Sequence, residues 1–125
     1  MKTIINTDAA PKAIGPYSQA VMIDGFLYAS GQVAIDPATG EFVEGGIEAQ
    51  TERVLENIKV ILKAAGMDLN NVIKTTVFVT NIGDFAKINE IYGRYFKDNP
   101  PARSLVEVKS LPKGALIEIE VVAHK

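Results

Sequence analysis

The chain contains no cysteine. Disulfides, thiolate nucleophiles, zinc–thiolate centres and iron–sulfur clusters are therefore all excluded. Histidine is nearly absent too: the single one, His124, is the penultimate residue. One imidazole cannot build a multi-histidine metal site, and its place predicts a frayed tail rather than a general base. No apolar run approaches the roughly 18–20 residues needed to span a bilayer. The first residues, Met1 to Asn6, lack the apolar stretch of a secretory signal. Neither sign of charge dominates, with 13 Lys and Arg against 15 Asp and Glu and a net charge of −2. Nucleic-acid binding is disfavoured, because it needs clustered basic residues. These absences predict a cytoplasmic protein with no thiolate or multi-histidine metal site and no membrane partner.

The 125 residues are 47% apolar and 22% charged. That length and balance predict one globular domain, residues 1–125, able to bury a core without covalent staples. Neither a linker nor an internal repeat interrupts it. Asp8 to Ser18 contains Pro11, Gly15 and Pro16 and reads as an ordered loop or extended segment. Two apolar runs then flank Asp24-Gly25, the signal of a hairpin closed by a type I′ turn. Gln32 to Gly46 reads as loop with at most a short strand. From Ile47 to Ala65 the period changes: Val54, Leu55, Ile58, Ile61, Leu62 and Ala65 recur at helical spacing, and Gly66 follows at a C′ position.

Asn71 to Thr80 is rich in β-branched residues and reads as a strand. A second helix is predicted from near Asp84, its N-cap, to about Lys97, with Phe85, Ile88, Tyr92, Tyr95 and Phe96 on one face. Core packing is the ordinary role for such aromatics. Pro100-Pro101 ends the helical region. Two more strands follow, about Arg103–Val108 and Leu116–Ala123, joined by a turn through Leu111 to Gly114. The order β-β-(β)-α-β-α-β-β predicts an α+β domain, a mixed sheet with two helices packed on one face. In the last strand Ile117, Ile119, Val121 and Ala123 should meet the helices. In the middle strand Ile73, Thr75, Val77 and Val79 share one face, and Val72, Lys74, Thr76 and Phe78 the other. The helix-free face is therefore partly apolar, which predicts a homo-oligomer that buries it.

Few residues are placed to do chemistry. Arg103 follows Pro101-Ala102 at the start of a strand, where a guanidinium can hold a carboxylate through two parallel hydrogen bonds. The competing role is a surface or salt-bridge arginine. Glu118 and Glu120, two apart on one strand, share a face and can raise each other's pKa, as general acid–base work requires. The competing role is a pair of outward glutamates. Tyr17, after Gly15-Pro16, can cover a pocket or simply pack. Gly31, between Ser30 and Gln32, suits a bulge or a close backbone approach. Asn89 suits a bracing hydrogen bond within the second helix. Gly45-Gly46 lacks a phosphate-loop context.

Read together and in order, these segments are more specific. Ala13-Ile14-Gly15-Pro16-Tyr17-Ser18-Gln19-Ala20 is followed by Ser30-Gly31-Gln32, then Lys74-Thr75-Thr76-Val77-Phe78-Val79. Pro101-Ala102-Arg103-Ser104 comes next, then Leu111-Pro112-Lys113-Gly114-Ala115-Leu116-Ile117-Glu118-Ile119-Glu120. Over its whole length the chain resembles the RidA/YjgF family of enamine/imine deaminases. The resemblance implies a chorismate-mutase-like fold and a homotrimer with sites between subunits. It also implies hydrolysis of 2-iminopropanoate, 2-iminobutanoate and related imines, released by pyridoxal-phosphate-dependent dehydratases, to 2-keto acids and ammonia. It places carboxylate binding on Arg103 and water activation on Glu118 rather than Glu120. Tyr17, Ser30, Gly31 and Asn89 would line or brace the pocket, with Phe85 and Leu105 helping to set its size. Many relatives carry cysteine where this chain has Leu105, so that position can act only through its backbone. Three other readings compete: a regulatory module that binds 2-keto acids without turnover, a more weakly supported endoribonuclease or translation inhibitor, and a chaperone-like surface.

Overall fold

The computed structural model describes all of residues 1–125. Eight main elements follow one another: β1 (Thr3–Ile5), β2 (Ala20–Ile23), β3 (Phe26–Gln32), α1 (Ile47–Ala64), β4 (Val72–Val79), α2 (Phe85–Tyr95), β5 (Ala102–Glu107) and β6 (Ile117–His124). The strands form one mixed sheet in the order β1-β2-β3-β6-β4-β5, with β4 and β5 parallel and every other pair antiparallel. Both helices cover one face, as the alternation in β6 requires: Ile117, Ile119, Val121 and Ala123 are buried beneath them. The hairpin turn has positive φ at Asp24 (51°) and Gly25 (81°), the backbone a type I′ turn demands.

The apolar stripe of α1 supplies much of the core. Val54, Leu55, Ile58, Ile61 and Leu62 are all at most 1% exposed, so truncating any of the larger ones to alanine should cost about 2–5 kcal/mol. Gly66 ends the helix with φ 73°. Its N–H bonds the Lys63 carbonyl and the Met67 N–H bonds the Leu62 carbonyl, which satisfies two otherwise orphaned acceptors. Asn57 is fully buried on the same helix. Its amide donates to the carbonyls of Val33 and Ile35 and fixes the chain just beyond β3.

The structure corrects four local expectations. β1 is an added edge strand, pairing Thr3 to Ile5 with Ala20 to Met22; three residues are too few to show alternation. Ile73 does not share the buried face of Thr75, Val77 and Val79. A register shift between Val72 and Lys74 turns Val72 inward and leaves Ile73 46% exposed. Asp84 occupies the N-cap of α2 but makes no side-chain capping bond. Asn81 instead accepts from the Gly83 N–H and caps the preceding 3₁₀ turn, Ile82–Asp84. His124 is not frayed: it ends β6 opposite Phe26, with the two rings edge to face at 4.3 Å.

Candidate active site

The first group of candidate residues gathers where β3 leaves β6. Ala29 pairs with Val121 and Gln32 with Ile119, so Ser30 and Gly31 together oppose Glu120. This is a β-bulge, one extra residue that bends the strand. Glycine at its second position leaves room for Glu118 and is not needed for a positive φ. A Cβ on Gly31 would lie 2.7 Å from Cδ and 2.9 Å from Cγ of Glu118, closer than nonbonded carbons approach. The Glu118 side chain thus lies flat against bare backbone. Ser30 ties the bulge to the N-terminal segment: its N–H donates to the Gln19 carbonyl at 2.9 Å, and its Oγ to the Ser18 carbonyl at 2.6 Å.

That segment forms the opposite wall. Pro11, Lys12, Ile14 and Tyr17 face Gly31 and Glu118 across a concavity of about 310 Å³, with Lys113 also on its rim. The Tyr17 hydroxyl accepts from the Ile14 N–H at 3.3 Å and its ring is half exposed. Tyr17 and Ser30 also border a second, more open hollow on the other side of the tyrosine. Glu118 is half-buried and makes no side-chain hydrogen bond within the chain. Burial, with the Glu120 charge adding to it, lifts its carboxyl above the ordinary carboxylate range. A carboxyl raised in this way is a stronger base than an ordinary one and is suited to accept a proton.

The second group is built on β5 and α2. Arg103 stands in register with Thr75 of β4, and Thr75 is fully buried on the helix-covered face. The guanidinium therefore emerges on that face, under α2. Its Nη1 donates to Asn89 Oδ1 at 2.8 Å. Its Cζ lies 4.7 Å from the Tyr92 ring centroid and 5.7 Å from that of Phe85, a cation over aromatic faces. Leu105 follows on the same face, in register with Val77. The ion pairs in the molecule are Lys59–Glu56 and Arg94–Glu90, so no carboxylate neutralises Arg103. Its remaining donors are free for an anion.

Tyr92 and Gln19 are the site residues that sequence reasoning missed. The Tyr92 hydroxyl shares a 2.7 Å hydrogen bond with Thr75 Oγ1, and burial pushes its pKa up against the Thr75 bond and the Arg103 charge. A neutral ring thus supports the cation. The usable signal was spacing: Phe85, Asn89 and Tyr92 fall four and three apart and share one helix face. Gln19 lies 2% exposed beneath the N-terminal segment.

The two groups do not meet within one chain. Glu118 stands opposite Phe78, and Glu120 opposite Thr76, on the helix-free face; Arg103 stands on the other. The structure brings Tyr17, Gly31 and Glu118 together, with Ser30 beside them, and separately Arg103, Asn89 and Phe85, with Leu105 next along.

A mixed six-stranded sheet backed by two helices, with an arginine free of carboxylate partners and a raised carboxyl on opposite faces, defines a small α+β domain. The sequence profile described as Endoribonuclease L-PSP matches residues 7–125. A RutC family protein of Pyrococcus horikoshii is 58% identical over all of this chain and 99% of its own length. The human 2-iminobutanoate/2-iminopropanoate deaminase is 52% identical over 98% of this chain and 90% of its own. Among solved structures, Escherichia coli TdcF with bound serine is 43% identical over 98% of each chain, with a TM-score of 0.94. The chain belongs to the RidA/YjgF family.

Proposed function

We propose that this protein is a hydrolytic deaminase of small 2-imino acids. It acts as a homotrimer in which Arg103 of one copy completes the Glu118 pocket of the next. The observation that carries the reading is the separation of Arg103 and Glu118 on opposite faces of one sheet, each in a half-built pocket. An unpaired guanidinium and a half-buried, raised carboxyl are complementary parts of a site for an anionic electrophile. The helix-free face supports the assembly. Ile4, Val21, Tyr28 and Val122 run in register across four strands of it, and Ile4 and Tyr28 are about half exposed, an apolar stripe of the kind that marks interfaces.

In this reading Arg103 grips the substrate carboxylate and fixes C2, with Asn89 and the Tyr92 and Phe85 rings holding the guanidinium in place. Glu118 takes a proton from the water that attacks C2. Attack on the protonated imine gives a neutral carbinolamine; Glu118 returns its proton to nitrogen, the C2–N bond breaks as the hydroxyl gives its proton to water, ammonia leaves and the 2-keto acid remains. Tyr17, Ser30, Gly31 and Leu105 shape the cleft.

The test generates 2-iminobutanoate in situ with a threonine dehydratase and traps unhydrolysed imine with semicarbazide. Less trapped imine with the native protein, and no reduction with Arg103→Ala at unchanged assembly, is the expected result. Equal trapping with native protein, Arg103→Ala and no protein would overturn deamination and leave a 2-keto-acid-binding regulator as the better reading.

A further inference from the structure

We propose that Gln19 is a positioning residue of this site, whose carboxamide clasps residues 7–17 against the end of β3 and so holds the wall that encloses Glu118. The carboxamide is used completely along one stretch of backbone. Oε1 accepts from the Thr7 N–H at 2.7 Å, and Nε2 donates to the Thr7 carbonyl at 3.0 Å and the Pro11 carbonyl at 2.8 Å. Each bond spans eight or twelve residues of sequence, so the clasp closes a loop rather than a local turn. The Gln19 backbone carbonyl meanwhile receives the Ser30 N–H. One buried residue therefore joins the segment bearing Pro11, Lys12, Ile14 and Tyr17 to the bulge bearing Gly31.

Beyond the clasp, the segment is held by Ala10 in the core and by the Ser30 Oγ bond to the Ser18 carbonyl at its end. From Pro11 to Ser18 it has no helix or strand. Ile14 is 74% exposed and Tyr17 52%, so apolar burial does not fix them. Loops of this kind open locally at small cost unless something ties them. Replacing the carboxamide by a group of similar size without hydrogen bonds frees two carbonyls and an N–H, which water satisfies if the loop swings out. Glu118 then regains solvent. The titratable groups facing Glu118 are Glu120 on its own strand, Lys12 and Tyr17 on the clasped segment, and Lys113 on the Pro112–Gly114 turn. Release moves Lys12 and Tyr17 away; loss of the Lys12 cation alone would raise the carboxyl, but burial is the largest cause of its shift, so regained solvent lowers it.

The experiment compares the native assembly with Gln19→Met. The Glu118 carboxyl is titrated by NMR with labelled glutamate, its signal assigned by its loss in Glu118→Gln, and amide exchange is followed across residues 7–17. The expected result is unchanged elution on size exclusion, faster exchange in that segment and a Glu118 titration moved down toward the ordinary range. On the deaminase reading, on which only this kinetic arm rests, KM rises about tenfold or more through misplacement. A Glu118 titration and loop exchange the same as in the native protein would overturn the clasp. If Gln19→Met does not fold, native exchange decides: a Thr7 amide as protected as the sheet supports the proposal, and one exchanging at a free-loop rate refutes it. Absence of imine hydrolysis by the native protein would sink the deaminase reading alone, since the titration is read without turnover.

Discussion

Burial and the neighbouring Glu120 charge both favour the protonated form of Glu118, and no hydrogen bond from the chain compensates the charged one. Its folded pKa is raised above the unfolded value, so between those two values the folded state binds more protons. Its contribution to stability is whole below the unfolded pKa, about 4.3, and is lost as pH rises through the folded pKa. Glu118→Gln has no proton to lose. The variant should gain thermal stability relative to the native protein across that window and keep the gain at neutral pH, while imine hydrolysis falls sharply. Unfolding midpoints from pH 4 to 8 check this; a difference that stays flat with pH would show that folding does not raise the carboxyl. A residue retained at a cost to stability is ordinary where function requires it. Choosing Glu118 over Glu120 from pattern alone was not possible, since both alternate onto one face. What separates them is the bare backbone of Gly31 against Glu118, a contact set by the bulge between β3 and β6.

At the scale of elements, α2 is the support of Arg103. Asn89 supplies the hydrogen bond and Tyr92 the aromatic face, and their effects are separable. Asn89→Ala removes an acceptor from a charged donor at a partly exposed position. Water can replace the lost acceptor, so stability should change little, while the guanidinium, no longer aimed, should raise KM for a carboxylate substrate about tenfold or more. Tyr92→Phe keeps the ring and strands the buried Thr75 hydroxyl. It should cost about 1–3 kcal/mol of stability and change KM little. Denaturant unfolding and steady-state kinetics on both variants check the contrast, and a reversed pattern would detach α2 from substrate binding. Most elements were legible because each carries its own period: α1 repeats at helical spacing, and Asp24-Gly25 names its turn. β1 was not, being three residues whose partner supplies the only reason for its extension. Ile73 misled because a local bulge resets alternation without altering composition. Tyr92 is core, as its place on the α2 face predicts; its second role was hidden because its hydroxyl and its ring face answer to residues on two other elements.

The whole molecule adds what no element contains: the relation between the two faces of the sheet. Alternation in β5 and β6 could be read from the sequence, but which face Arg103 takes depends on the parallel register of β4 with β5, Thr75 beside Arg103. That pairing is long-range and leaves no local mark. Its consequence is that one copy holds Arg103 and Glu118 back to back, and the proposed deaminase therefore draws the two from different copies. In the proposed closed ring each cleft would join Glu118 of one copy to Arg103 of its neighbour. Arg103→Ala and Glu118→Gln should each be nearly inactive as pure assemblies. Unfolded together at equal amounts and refolded into mixed trimers, they should recover activity. A cleft works when its Glu118 comes from the arginine variant and its Arg103 from the glutamate variant, which random mixing achieves in about one cleft in four. Activity near about a quarter of the native value, and dependent on mixing before refolding, is the expected result. Two variants that stay silent after co-refolding into demonstrated mixed trimers would mean that no cleft is shared between copies, and the opposed faces of the sheet would then need another explanation.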